Sequence, residues 1–168
     1  MNNKLETVFK GYNVFSAKCD LCHDDRRVHS IKYIGISREQ DDQERPNKEG
    51  VLLIQPGYAK DYEVSGVPHH FWQEINRAGL ESDKLCFLFD MTGLHFSIKS
   101  INTAIAMYNV IRVFTASNLG RIVVVNASKH LGLFLKAIPY FRVEDLAVVK
   151  LEQLSTLLTH EQLTHLLP

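Results

Sequence analysis

Short apolar runs bounded by polar turns alternate along the chain with longer stretches whose apolar residues recur at helical spacing. Val51-Leu-Leu-Ile54, stopped by Gln55-Pro-Gly, reads as a strand, and Leu85-Cys-Phe-Leu-Phe89, ended by Asp90, as a strand buried on both faces. Arg121-Ile-Val-Val-Val-Asn126 is the strongest strand signal, and Leu146-Ala-Val-Val149 adds another. Between these runs, Val67 to Arg77 leads Phe71, Ile75 and Ala78 along one helical face, with Pro68 suited to a first turn. A long segment that Ser97 or Ser100 can cap runs to Thr115, and its Ile101, Ala104, Ile105, Tyr108, Val110 and Ile111 cover more than one face. Ser128 to Tyr140 predicts a helix with a late proline, and Leu151 to Leu167 one or two short helices. Strand and helix in alternation give a mainly parallel sheet covered by helices through right-handed crossovers, so the fold class is α/β.

Ahead of this body, Val28 to Ile36 carries the β-branched and aromatic residues of a strand, and Val8, Tyr12 and Val14 suggest an earlier one. Residues 1–36 therefore read as a small N-terminal β extension, 37–50 ("SREQDDQERPNKEG") as a charged loop and 51–168 as the α/β body.

Composition narrows the function classes. Nineteen basic and nineteen acidic residues leave no net charge, which argues against a protein that tracks phosphates with clustered Lys and Arg. No segment approaches the ~18–20 apolar residues of a membrane span. Charges interrupt the first ten residues where a signal peptide needs an apolar run, and three cysteines are an odd number for a disulfide framework, so the chain reads as cytoplasmic.

One motif invites a cofactor. "GYNVFSAKCDLCH" holds C-x-x-C-H, with Gly11, Phe15, Cys19, Cys22 and His23 placed as in the opening of c-type cytochromes. Haem is disfavoured: Met91 follows a buried strand and Met107 sits in a core helix, neither placed as a second axial ligand in a small helical domain. Zinc at Cys19, Cys22, His23 and His29 is also disfavoured, because adjacent Cys22 and His23 make a poor chelating pair and Cys86 lies in a buried strand. A polar turn with cysteines as small fillers accounts for the stretch, and no cofactor is expected.

Nothing assembles a nucleophile, a base and an oxyanion donor. No phosphate-binding glycine loop and no nucleophile elbow is present. Asp90 ends a buried strand, where open sheets place functional carboxylates and where an Asp also caps the following turn. His69 and His70 are neighbours that point apart, and His95 lies between Leu94 and Phe96. What stands out is apolar excess in "HLGLFLKAIPYF": Leu131, Leu133, Phe134, Leu135, Ile138, Tyr140 and Phe141 exceed one helical face. Such a segment either packs on two sides or closes over an apolar cavity.

The stretch from "FLFDMTGLHFS" through "NLGRIVVVNASKHLGLFLKAI" to "LAVVKLEQLSTLLTHEQLTHLLP" resembles CRAL-TRIO lipid-binding domains over residues 50–168. Asp90, Gly93, Leu119, Gly120, Asn126, Ala127, Leu151, Leu154, Leu163 and Pro168 stand at matching places, while Ser128 replaces the proline that follows Asn-Ala in that family. The same stretch is similar to STAS domains, which share this SpoIIAA-like plan; there Ser100 matches a phosphorylated serine by spacing, with Ile98 where the family has aspartate. The CRAL-TRIO resemblance implies a non-catalytic binding domain for a small apolar, lipid-like ligand between the sheet and the helix over 128–140. Leu131, Phe134, Leu135, Ile138, Asp90 and His95 are then the candidate ligand-binding residues. The STAS resemblance implies instead a regulatory module that binds a partner protein and is switched at Ser100 by an added dianion.

Overall fold

The computed structural model describes residues 30–38, 48–59, 66–95, 97–142, 144 and 146–166. The first strand expected around Val8 to Val14 lies outside them, as do Cys19, Cys22, His23 and His29 and the middle of the charged loop.

Five strands, β1 (Ile31–Ile36), β2 (Glu49–Ile54), β3 (Lys84–Asp90), β4 (Gly120–Val125) and β5 (Leu146–Val148), form one sheet in chain order. β2 to β5 run parallel, and β1 closes one edge antiparallel to β2. Phe89, Val124 and Val148 stand level on three neighbouring parallel strands. Of the extension read over 1–36, Ile31–Ile36 forms the antiparallel edge strand of this sheet.

Each parallel connection carries a helix: α1 (Val67–Ala78), α2 (Ile98–Ala116) and α3 (Leu131–Lys136). Strands that step always in one direction, joined by crossovers of one hand, put every crossover helix on the same face. The side chains follow that rule. Alternate residues Leu52, Ile54, Phe87, Ile122 and Val124 pack with Phe71 and Ile75 of α1 and with Met107, Ile111 and Phe114 of α2. The intervening residues Val51, Leu53, Cys86, Leu88, Val123 and Val125 face the other way. There they meet Leu154, Leu158 and Leu166 from the C-terminal segment, which forms a 3-10 helix over Leu151–Thr156 and a short α4 over His160–Leu163. The near-continuous apolar strands are the consequence of cover on both faces.

Local chemistry sets the element ends. Both Ser97 and Ser100 cap α2: Ser100 N donates to Ser97 Oγ at 3.1 Å and Ser97 N to Ser100 Oγ at 2.9 Å, a reciprocal pair. α2 ends where Asn118 takes a left-handed conformation (φ 55°) and Leu119 N bonds Phe114 O at 2.9 Å. The helix expected over 128–140 is shorter, only Leu131–Lys136, and continues in single turns such as Ile138 N to Leu135 O. Gly132 and Pro139 within that stretch disfavour a longer helix. No helix among the described residues is long and apolar enough to cross a membrane.

Candidate functional site

Parallel strands end together, so the residues at or just past the ends of β2, β3 and β4 share one rim of the sheet. Gln55, Asp90 and Asn126 occupy it. Asp90 is buried, and its carboxylate is fully engaged: Gln55 Nε2 donates to Oδ2 at 3.1 Å, while Oδ1 accepts from Thr92 N (3.1 Å), Thr92 Oγ1 (2.7 Å) and Asn126 Nδ2 (3.0 Å). Burial works to raise the carboxyl pKa, but the bonds from Asn126, Thr92 and Gln55 together outweigh it and hold the group below its ordinary value. Asn126 reaches Asp90 from a left-handed backbone (φ 56°), and Gly93 (φ 72°) turns the chain after Thr92. Asp90 therefore ties three strand ends and one turn; of the two roles open to it in the sequence, the turn cap is the one its geometry displays.

Beside this rim lies a cavity of about 190 Å³. Its floor is Phe89 and Met91 from the end of β3, and Ala104, Met107 and Thr103 of α2 form one wall. The opposite wall is Pro56 and Gly57 of a 3-10 turn (Pro56–Tyr58) packed on the 91–94 turn. That packing needs glycine, since a Cβ on Gly57 would stand 2.7 Å from Gly93 C and 2.8 Å from Leu94 N and would collide with Thr92 O. Exposed His95, Ser97 and Lys99 and partly buried Ser100 supply the polar rim.

A second, smaller cavity of about 50 Å³ adjoins the first. Leu131, Phe134, Leu135 and Ile138 come together on its walls, between α3 and the sheet, facing Ile122 and Val124. Of those four, Phe134 alone also lines the larger cavity, which holds His95 and Ser100. Asp90 lines neither and acts as the scaffold behind them. The apolar excess of "HLGLFLKAIPYF" thus divides: Phe134 and Ile138 are buried, whereas Leu133 and Tyr140 are exposed.

Sequence reasoning missed Met91, Leu94, Ala104, Met107 and the glycine at 57. The small residues Thr103 and Ala104, one turn after the Ser97–Ser100 cap and ahead of the bulkier Met107, Tyr108 and Ile111 at the same helical spacing, were the available sign of a recess. Elsewhere, buried Cys86 has its thiol pushed up to about 12, by burial first and then by the nearby Glu49 carboxylate, against the opposing pull of Arg121. That makes it an inert core residue. Among the described residues no group of three or more His, Cys, Asp or Glu could hold a metal ion. In comparisons with known proteins the chain matched no family model and no curated protein.

Proposed function

We propose that this chain is a non-catalytic binding domain that holds a small apolar molecule in the cavity between β3 and α2. The observation that carries this reading is the cavity itself. A recess of about 190 Å³, open on one side, is lined mainly by apolar side chains, with His95, Ser97, Lys99 and Ser100 at its rim and Thr103 in its wall. Such a mix of apolar lining and a few polar groups can hold and orient an apolar ligand. The volume falls below the roughly 300–1,000 Å³ of sites for drug-sized ligands, so a slim molecule suits it better than a branched or polycyclic one. A STAS/CRAL-TRIO plan for the fold draws support from the parallel strands in chain order, the single antiparallel edge and the crossover helices gathered on one face.

The partner-switching reading comes second. Ser100 stands in the first turn of α2, yet its hydroxyl donates to Ser97 O at 2.8 Å and accepts from Ser97 N, so modification would first dismantle the helix cap.

Native mass spectrometry of gently purified protein tests the proposal. A discrete added mass that organic extraction removes is expected, together with its loss in Ala104→Phe, which fills the recess at a cost of about 1–3 kcal/mol in stability. A clean apo mass that acquires no added apolar molecule counts against it.

A further inference from the structure

The two cavities are arranged along one helix. Ser100, Thr103 and Met107 of α2 line the larger, Tyr108 and Ile111 the smaller, and Ala104 lines both. Spacings of three and four residues mark a single helix face, so the cavities adjoin beneath α2, the larger toward its N-terminus and the smaller toward its C-terminus, overlapping between Ala104 and Met107. From Ser100 to Ile111 the helix rises about 16 Å, the length of an extended chain rather than of a compact ring system. Polar rim groups belong only to the larger cavity; the smaller is walled by apolar side chains and Tyr108, whose hydroxyl is directed to Tyr140 O at 3.2 Å.

Phe89, Met91, Ala104 and Phe134 are common to both cavities and form the wall between them. Phe89 belongs to β3, which is paired on both sides. Phe134 is the large side chain of the wall that comes from a minor element: α3 has six residues and no side-chain bond at its N-cap. We infer that Phe134 divides what is otherwise one elongated apolar channel, and so sets the length of straight-chain ligand that the site accepts. This rests on the binding reading above. With Phe134 in place a chain fills the larger cavity and stops; with it cut back, the chain continues into the space bounded by Leu135 and Ile138.

Titration calorimetry with a homologous series of straight-chain alkanols, hexanol to tetradecanol, tests this on the intact protein. Each methylene taken out of water adds roughly fourfold in affinity. For the natural protein the gain is expected to stop at one chain length, and Phe134→Ala is expected to move that plateau to a longer alkanol by at least two methylenes. Phe134→Leu, a milder change that preserves folding, is expected to move it by about one methylene. Adding Leu135→Trp to Phe134→Leu blocks the far cavity and should restore the original plateau. An unmoved plateau in Phe134→Leu overturns the dividing role while leaving the binding reading intact. Failure of the natural protein and Phe134→Leu to bind any alkanol overturns both.

Discussion

Asp90 shows how a residue at a strand end can be structural in every bond it makes. Its Oδ2 faces only Gln55, whose amide can turn to present its oxygen, whereas Oδ1 faces three donors. Asp90→Asn can therefore be absorbed by that turn at a cost of about 1 kcal/mol, while Asp90→Ala loses all four bonds, leaves the buried Gln55 amide unserved and is expected to cost about 3 kcal/mol. Chemical denaturation of the two variants at neutral pH checks the order; equal losses would refute it. The pH dependence has a definite sign. Because the folded pKa lies below the ordinary carboxylate value of about 3.9, Asp90 stabilises fully above roughly pH 5, and that contribution is lost as pH falls through the folded value. Asp90→Asn should accordingly flatten the decline of stability on acidification below about pH 5. The aspartate was visible in the sequence as the end of an apolar run; its donors Gln55 and Asn126 were not, because nothing local tells that 55, 90 and 126 meet on one rim.

At the scale of elements, the sheet's antiparallel edge and the C-terminal segment depend on each other. β1 is irregular between Tyr33 and Ile36, with Gly35 at φ 105°, and the carbonyls that this turns aside are taken by one side chain: Gln162 Nε2 donates to Ile34 O (3.1 Å) and Ile36 O (2.8 Å). Tyr33 pins the same strand to the helix layer, its N–H donating to Glu74 Oε2 at 2.8 Å and its hydroxyl to Glu81. Gln162→Ala, seen by thermal unfolding, should destabilise by about 1–3 kcal/mol although it removes little apolar surface; a loss within the noise would show the edge to be held by other contacts. Elements with dense patterns were legible in advance: β3 and β4 as apolar runs, α1 from Phe71, Ile75 and Ala78, and the α2 cap from its serines. α3 was overextended because its apolar residues run past one helical face, and that excess came from two cavity walls and an exposed side rather than from a longer helix. The bulge in β1 left only a glycine as its trace.

For the whole molecule, parallel strands laid down in chain order gather α1, α2 and α3 on one face, leaving the other to the C-terminal segment. A recess can open only where two covering pieces part, and here it opens between α2 and the turns that follow β2 and β3. Alternation of strand and helix told the class of fold from sequence, but the recess depends on Gly57 meeting the 91–94 turn, a contact between residues some thirty-five positions apart. The proposed binding role stands on that recess. The chain has three methionines, and the two internal ones, Met91 and Met107, both line it, so their methyl groups report on its contents. The most direct measurement is a titration of ¹³C-methyl-methionine protein with octanol, followed by NMR. The expected result is saturable movement of the Met91 and Met107 resonances, abolished by Ala104→Phe; both resonances standing still at saturating octanol would contradict the account.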